Sequence, residues 1–190
     1  IRRSTTSGGT QVWFADDAAS GGRLVALRKW WDHLRDLGPK FGYYPNASKT
    51  FLLVKPEKEE EARRLFSDTG VSLTCSGRRY LGGALGQAAF KDDFIQEMVA
   101  EWVARTKQLA TMARTQPQAA YAAFTHGEIG RWCYGLRVSS VVSDEVLQPL
   151  EEAITQHLVP ALTGQTAPNS DVRALLALPA RLGGMGLINP

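Results

Sequence analysis

A change of periodicity near residue 88 constrains this chain more than any other feature of its sequence. Before it, short β-prone runs alternate with turn residues. From Phe90 onward strand signals vanish, and Phe94, Met98, Trp102, Leu109 and Met112 fall along one face of a long helix. The shift predicts an α+β front over residues 1–87 and an all-α back over 88–190. In the front, residues 11–15 run into the acidic pair Asp16-Asp17 and then the small residues Ala18, Ala19 and Ser20, the pattern of strand, tight turn, strand. Leu24, Leu27, Trp31 and Leu34 recur at helical spacing until Gly38-Pro39, which predicts an amphipathic helix over 23–37, with glycine at its cap. A short buried strand is expected over 50–54, and a highly charged helix over 57–67. Residues 71–74 and 79–81 read as two short strands around the turn Ser76-Gly77, closed by Gly82-Gly83. In the back, further helices are expected over 117–126 and 144–158. The glycines Gly183, Gly184 and Gly186 near the end predict a tightly packed turn.

With 190 residues, 44% apolar and 22% charged, the composition is that of an ordinary globular protein and excludes a disordered tail, a collagen-like repeat and a coiled coil. No window holds the run of about 18 apolar residues that a membrane span needs, and no signal-peptide pattern opens the chain, so no membrane partner is expected. The first residue is Ile1, which leads us to expect a piece of a longer polypeptide. Cys75 and Cys133 lie far apart with no ligand spacing around them, so neither a zinc site nor a disulfide framework is indicated, and an intracellular location, cytoplasm or nucleus, is expected. Residues 1–50 carry a net charge of +4 and the remainder −1. A basic end of this kind suits a polyanion, although Arg28, Lys29 and Arg35, like Arg105, Lys107 and Arg114 further on, read equally as solvated helix faces. Of the pair Trp30-Trp31, Trp31 is expected in the core and Trp30 at a partner surface.

Two adjacent carboxylates at a hairpin tip repel each other, and a divalent cation removes that conflict. Hard oxygen ligands suit Mg²⁺, which takes one or two protein carboxylates and completes its shell with water and substrate phosphates. Two such ions can activate an attacking hydroxyl and stabilise the leaving oxygen of an in-line phosphoryl transfer. A solvent-exposed acidic turn is the plainer reading of Asp16-Asp17 alone.

The text around the pair shifts that balance. Phe14-Ala15-Asp16-Asp17 resembles the [YF]-A-D-D signature of reverse transcriptases. Gly42-Tyr43-Tyr44-Pro45-Asn46-Ala47-Ser48-Lys49-Thr50 is similar to the next palm motif of that family, and Tyr80-Leu81-Gly82-Gly83 to its primer-grip element. The closing Leu-Pro-x-x-x-Gly-Gly-Met-Gly-Leu run resembles the thumb end of LINE-like, non-LTR retrotransposon polymerases. Each string is weak alone; four in order cover nearly the whole chain.

The resemblance implies the C-terminal part of a palm, an antiparallel sheet with packed helices that includes the primer grip, over 1–87 and an all-α thumb over 88–190. It implies RNA-directed DNA synthesis on an RNA template with a DNA primer and a dNTP, using two Mg²⁺ ions. Asp16 would be the direct metal ligand and Asp17 the secondary one; Phe14, Ala15 and Lys49 would lie by the nucleotide; Tyr80, Leu81 and Gly82 would shape the primer grip. The family's other catalytic Asp belongs to an earlier palm strand, to which residues 2–10 would be the link, so this chain alone is expected to polymerise little or nothing. Two other readings keep the same motifs: a chain that only binds nucleic acid, and a protein-interaction module derived from a retroelement.

Overall fold

The computed structural model of the chain describes residues 9–139 and 142–190, so Arg2, Arg3 and most of the expected link lie outside the described residues. The protein is mixed α+β and divides into two compact units, Ile1–Arg78 and Arg79–Pro190.

The first unit opens with an antiparallel hairpin, β1 (Gly9–Phe14) and β2 (Asp17–Gly22), in register from Gly9 opposite Gly22 to Phe14 opposite Asp17. Helix α1 (Leu24–Leu37) follows with Trp31 and Leu34 buried, as their spacing requires. It stops at Gly38, but that glycine keeps right-handed helical angles instead of forming a left-handed cap. Glycine is needed there because a Cβ would lie 2.6 Å from the Tyr43 carbonyl oxygen. Strand β3 (Phe51–Leu53) is joined through α2 (Glu59–Leu65) to β4 (Ser72–Thr74), and β3 and β4 pair in parallel; in place of one antiparallel palm sheet the described strands form three separate two-stranded sheets, this one parallel because the α2 crossover returns the chain in the same direction. Trp31, Leu52, Val54, Ala62 and Phe66 form the core that this crossover closes. Arg28 is neither solvated nor open to phosphates. Its guanidinium donates to Asp32, to both oxygens of Asp68 and to the Leu65 carbonyl, clamping α1 to the end of α2. Trp30 likewise looks inward, its indole donating to Gln11 Oε1 at 2.9 Å and tying the hairpin to α1.

The expected turn at Ser76-Gly77 is not a hairpin. Strand β5 (Gly77–Tyr80) pairs with a strand the sequence did not announce, β6 (Gly83–Gly86), and the reversal between them is Leu81-Gly82. The favoured two-residue reversals need positive φ at both central positions (type I′) or at the first (type II′); Leu81 (+46°) and Gly82 (+81°) supply the former, whereas neither Ser76 nor Gly77 has a positive φ.

In the second unit, the long helix α3 (Ala88–Ala113) buries Phe94 and Trp102, with Met98 and Leu109 packed against the core. Met112 is exposed, contrary to the expected stripe. In the last turns Ala110 and Ala113 face inward, because a spacing taken from distant residues drifts off the 3.6-residue period. The two later helices are longer than expected. Helix α4 (Pro117–Ala123) continues through a widened π-helical turn, Phe124–Glu128, into α5 (Ile129–Val138), and α6 (Asp144–Ala153) continues through Ile154–Leu158 into α7 (Val159–Thr163). Pro160, which has no N–H and crowds the carbonyl four residues back, sits just beyond the second widened turn. Phe124, Leu150, Ile154 and Leu158 are wholly enclosed.

After α8 (Ser170–Ala177) the chain folds back in the tight turn expected from its glycines: a Cβ on Gly184 would stand 2.0 Å from the Leu178 carbonyl oxygen. Arg173, buried in the same corner, donates to both oxygens of Glu151 at 2.6 and 2.8 Å and to the carbonyls of Leu187 and Ile188. Among the described residues no helix is long and apolar enough to cross a membrane.

Candidate functional site

Asp16 and Asp17 stand at the reversal of the first hairpin. Ala15 and Asp16 form its two-residue turn, and Asp17 opens β2 opposite Phe14. Ala15 has φ +53°, a conformation that an L side chain resists. Both carboxylates are exposed, and among the described residues no Lys, Arg or His pairs with either. Burial alternates along β1. Phe14 is 63% exposed beside the turn, while Trp13 faces inward and packs edge-on against Tyr43, with ring centroids 5.2 Å apart and planes at 71°.

Tyr43 belongs to the second sequence motif, and its phenol feels the acidic pair. Burial pushes its pKa above the ordinary tyrosine value, reinforced by the charges of Asp17 and then Asp16. Residues 46–50 beyond it form a self-contained turn. Asn46 Oδ1 accepts from the Ser48 amide at 3.0 Å and from its hydroxyl at 2.7 Å, and the Thr50 hydroxyl donates to the Asn46 carbonyl at 2.7 Å. The polar side chains of the motif thus serve its backbone, except Lys49, which is exposed.

The donor set at Asp16-Asp17 is right in kind for Mg²⁺ and supplies two carboxylates, within the one or two that this ion takes from a protein. No cluster of three or more His, Cys, Asp or Glu able to hold a metal occurs among the described residues.

The third motif occupies the β5–β6 reversal. Tyr80 is half-buried, and its hydroxyl, shielded from solvent, has no hydrogen-bond partner. Leu81 and Gly82 are the turn itself. The close approach at Gly82 is made by this chain's own Tyr134: a Cβ on Gly82 would lie 2.8 Å from Tyr134 Cε1, and the Tyr134 hydroxyl donates to the Leu81 carbonyl at 2.7 Å. Gly82→Ala combines a positive φ with that contact and is expected to destabilise the second unit by about 1–2 kcal/mol. A lowered urea midpoint at unchanged slope would register it.

Within the first unit the fold therefore brings the acidic pair and the second motif together through Trp13 and Tyr43. Sequence reasoning gave no role to Trp13, Tyr43 or Tyr134. The alternation of β1 could have placed Trp13 opposite to Phe14, but nothing local announces Tyr134, 53 residues from the carbonyl it holds. Arg105, expected to face a template or solvent, is paired with Glu101 at 2.6 Å and lies 3.7 Å from Glu128. No protein-family model, no curated protein and no solved structure matches this chain.

Proposed function

We propose that the chain is the palm-and-thumb part of a reverse transcriptase of the non-LTR retrotransposon type, acting on an RNA template, a DNA primer and a dNTP. One observation carries the reading. The Phe14-Ala15-Asp16-Asp17 motif sits at a strained hairpin reversal, and Tyr43, from the motif that resembles the family's next palm element, packs on Trp13, the residue just before Phe14, within reach of the charges of Asp17 and Asp16. The only two non-glycine residues with positive φ among the described residues, Ala15 and Leu81, both lie in turns that the resemblance singles out, and backbone strain gathers at functional sites.

In this reading Asp16 and Asp17 hold Mg²⁺ through hard carboxylate oxygens, and the further carboxylate comes from the strand that precedes them in the parent polymerase. Bound Mg²⁺ supplies Lewis-acid stabilisation to the transferring phosphoryl group. Ala15 keeps the backbone of the turn accessible, and the exposed Phe14 offers it an apolar neighbour. Lys49 contributes a positive charge toward the triphosphate. The Trp13–Tyr43 contact fixes the hairpin against the loop that bears Lys49.

The test is primer extension on poly(rA)/oligo(dT) by the chain joined to an upstream palm strand bearing the further Asp. Mg²⁺-dependent incorporation of dTTP is expected, falling about 10³-fold in Asp16→Asn, the equivalent of several kcal/mol of transition-state stabilisation. A folded, duplex-binding protein that extends no primer would overturn the catalytic reading and leave nucleic-acid binding in its place. A folded protein with neither synthesis nor salt-sensitive duplex binding would point to a protein-interaction module.

A further inference from the structure

Leu81 is held in a left-handed conformation that its side chain disfavours, so the Leu81-Gly82 turn needs a support beyond its own sequence. That support comes from α5. Tyr134 Oη donates to the carbonyl of Leu81 itself, fixing the peptide that leaves the strained residue. The Tyr134 ring lies where a Gly82 side chain would begin. One helical turn on, the Val138 carbonyl oxygen stands 2.7 Å from where a Cβ on Gly83 would be. Tyr134 and Val138, one helical turn apart in α5, therefore back the turn at Gly82 and the first residue of β6, Gly83.

The helix is itself braced. Gly135, next to Tyr134, is buried, and a Cβ there would be 2.7 Å from Trp102 Cζ2, so α5 lies directly on the core side chain of α3. Tyr134 is 52% exposed and is no part of the buried core. Its hydroxyl meets a turn carbonyl that water could also solvate, so the hydrogen bond sets a shape more than it secures the fold.

We infer that Tyr134 is the positioning residue of the Leu81-Gly82 turn, transmitting the rigidity of α5 and α3 to the loop that would hold a primer 3′ end. The inference rests on the reading given under Proposed function for its ligand, and on the geometry alone for the turn.

The experiment uses the whole chain with Tyr134→Phe, Leu81→Gly and the double variant. Tyr134→Phe keeps the ring and removes only the hydroxyl. Amide exchange at Gly82 and Gly83 is expected to quicken about fivefold, the worth of one net hydrogen bond. In the Leu81→Gly background the same substitution should have a clearly smaller effect, because glycine adopts the left-handed conformation unaided. On an RNA-template, DNA-primer duplex, 2-aminopurine at the primer 3′ end is expected to lose its protein-dependent fluorescence change in Tyr134→Phe. The same probe placed well inside the duplex should keep its change. Unaltered exchange, or an equal effect in both backgrounds, overturns the positioning role. Faster exchange with an unaltered 3′-end signal overturns the link to the primer. A wild-type chain that does not bind the duplex overturns the function reading and the primer link together, and exchange then decides the positioning role by itself.

Discussion

Arg173→Met is expected to destabilise the second unit by about 3–5 kcal/mol. The Arg173 side chain is 7% exposed, and its guanidinium satisfies four acceptors at once: both carboxylate oxygens of Glu151 and the carbonyls of Leu187 and Ile188. Methionine fills similar length but donates nothing, so it leaves Glu151 without its cation and the carbonyl of the fully buried Leu187 without a donor. The cost arises less from a lost attraction than from the stranded partners. The double variant Arg173→Met with Glu151→Leu should therefore recover much of the loss, since replacing both members of a pair removes the unpaired charge. Guanidinium denaturation of the three proteins checks this. A single substitution costing under about 1 kcal/mol would mean that the clamp does not bear on stability.

Trp31→Ala is expected to be as severe in the first unit, at about 3–5 kcal/mol. Trp31 is 4% exposed and packs with Leu52, Val54, Ala62 and Phe66, so its removal opens a large cavity in a small core. A unit ending at Arg78 has about 4–12 kcal/mol of stability on the usual per-residue scale, so much of it would be lost. The indole N–H is buried without an acceptor, which gives the prediction a second edge. Trp31→Phe gives up volume but also an unsatisfied donor, and should cost far less than the alanine variant. Amide exchange at Leu52 and Val54 measures both. Equal losses for Phe and Ala would place the stabilisation in the indole ring's particular shape instead of in buried volume.

Much of the secondary structure was legible because it is written in local periodicity. Leu24, Leu27, Trp31 and Leu34 define α1, and the apolar residues after Phe90 define α3. The first hairpin was legible from a β-prone run meeting adjacent acids, and the final turn from its glycines. What escaped was non-local or chemically silent. Strand β6 is Gly-Ala-Leu-Gly, a string with no β preference, and it becomes a strand because Leu81-Gly82 returns the chain alongside β5. The parallel pairing of β3 with β4 depends on how α2 packs across Leu52, which no spacing within either strand encodes.

At the candidate site, the acidic pair and Lys49 could be named from residue type alone. The i,i+4 partners of Arg28 and Arg105, Asp32 and Glu101, lie within reach of sequence spacing, but their contacts with Asp68 and Glu128 come from residues distant in sequence and could not be read. Tyr43 was visible only as a letter within a motif. Its packing on Trp13, which brings it within the field of Asp17 and Asp16, is a product of the chain reversal after α1.

The widened turn at Phe124–Glu128, where the Ile129 amide reaches back five residues to Phe124, leads directly into α5. A residue in a regular helix advances about 100° around the axis, and a widened turn takes up one residue more than an α-turn for about the same rotation, so the extra residue is absorbed there without turning the face that follows. Tyr134 and Val138 face Leu81-Gly82 and Gly83 only in the present phase. Residues 124–128 therefore act as a slack element: one residue can be lost there together with the widening, whereas a residue inserted into the regular helix between Ile129 and Tyr134 would swing Tyr134 and Val138 about 100° away from the turn and uncouple the two without touching either.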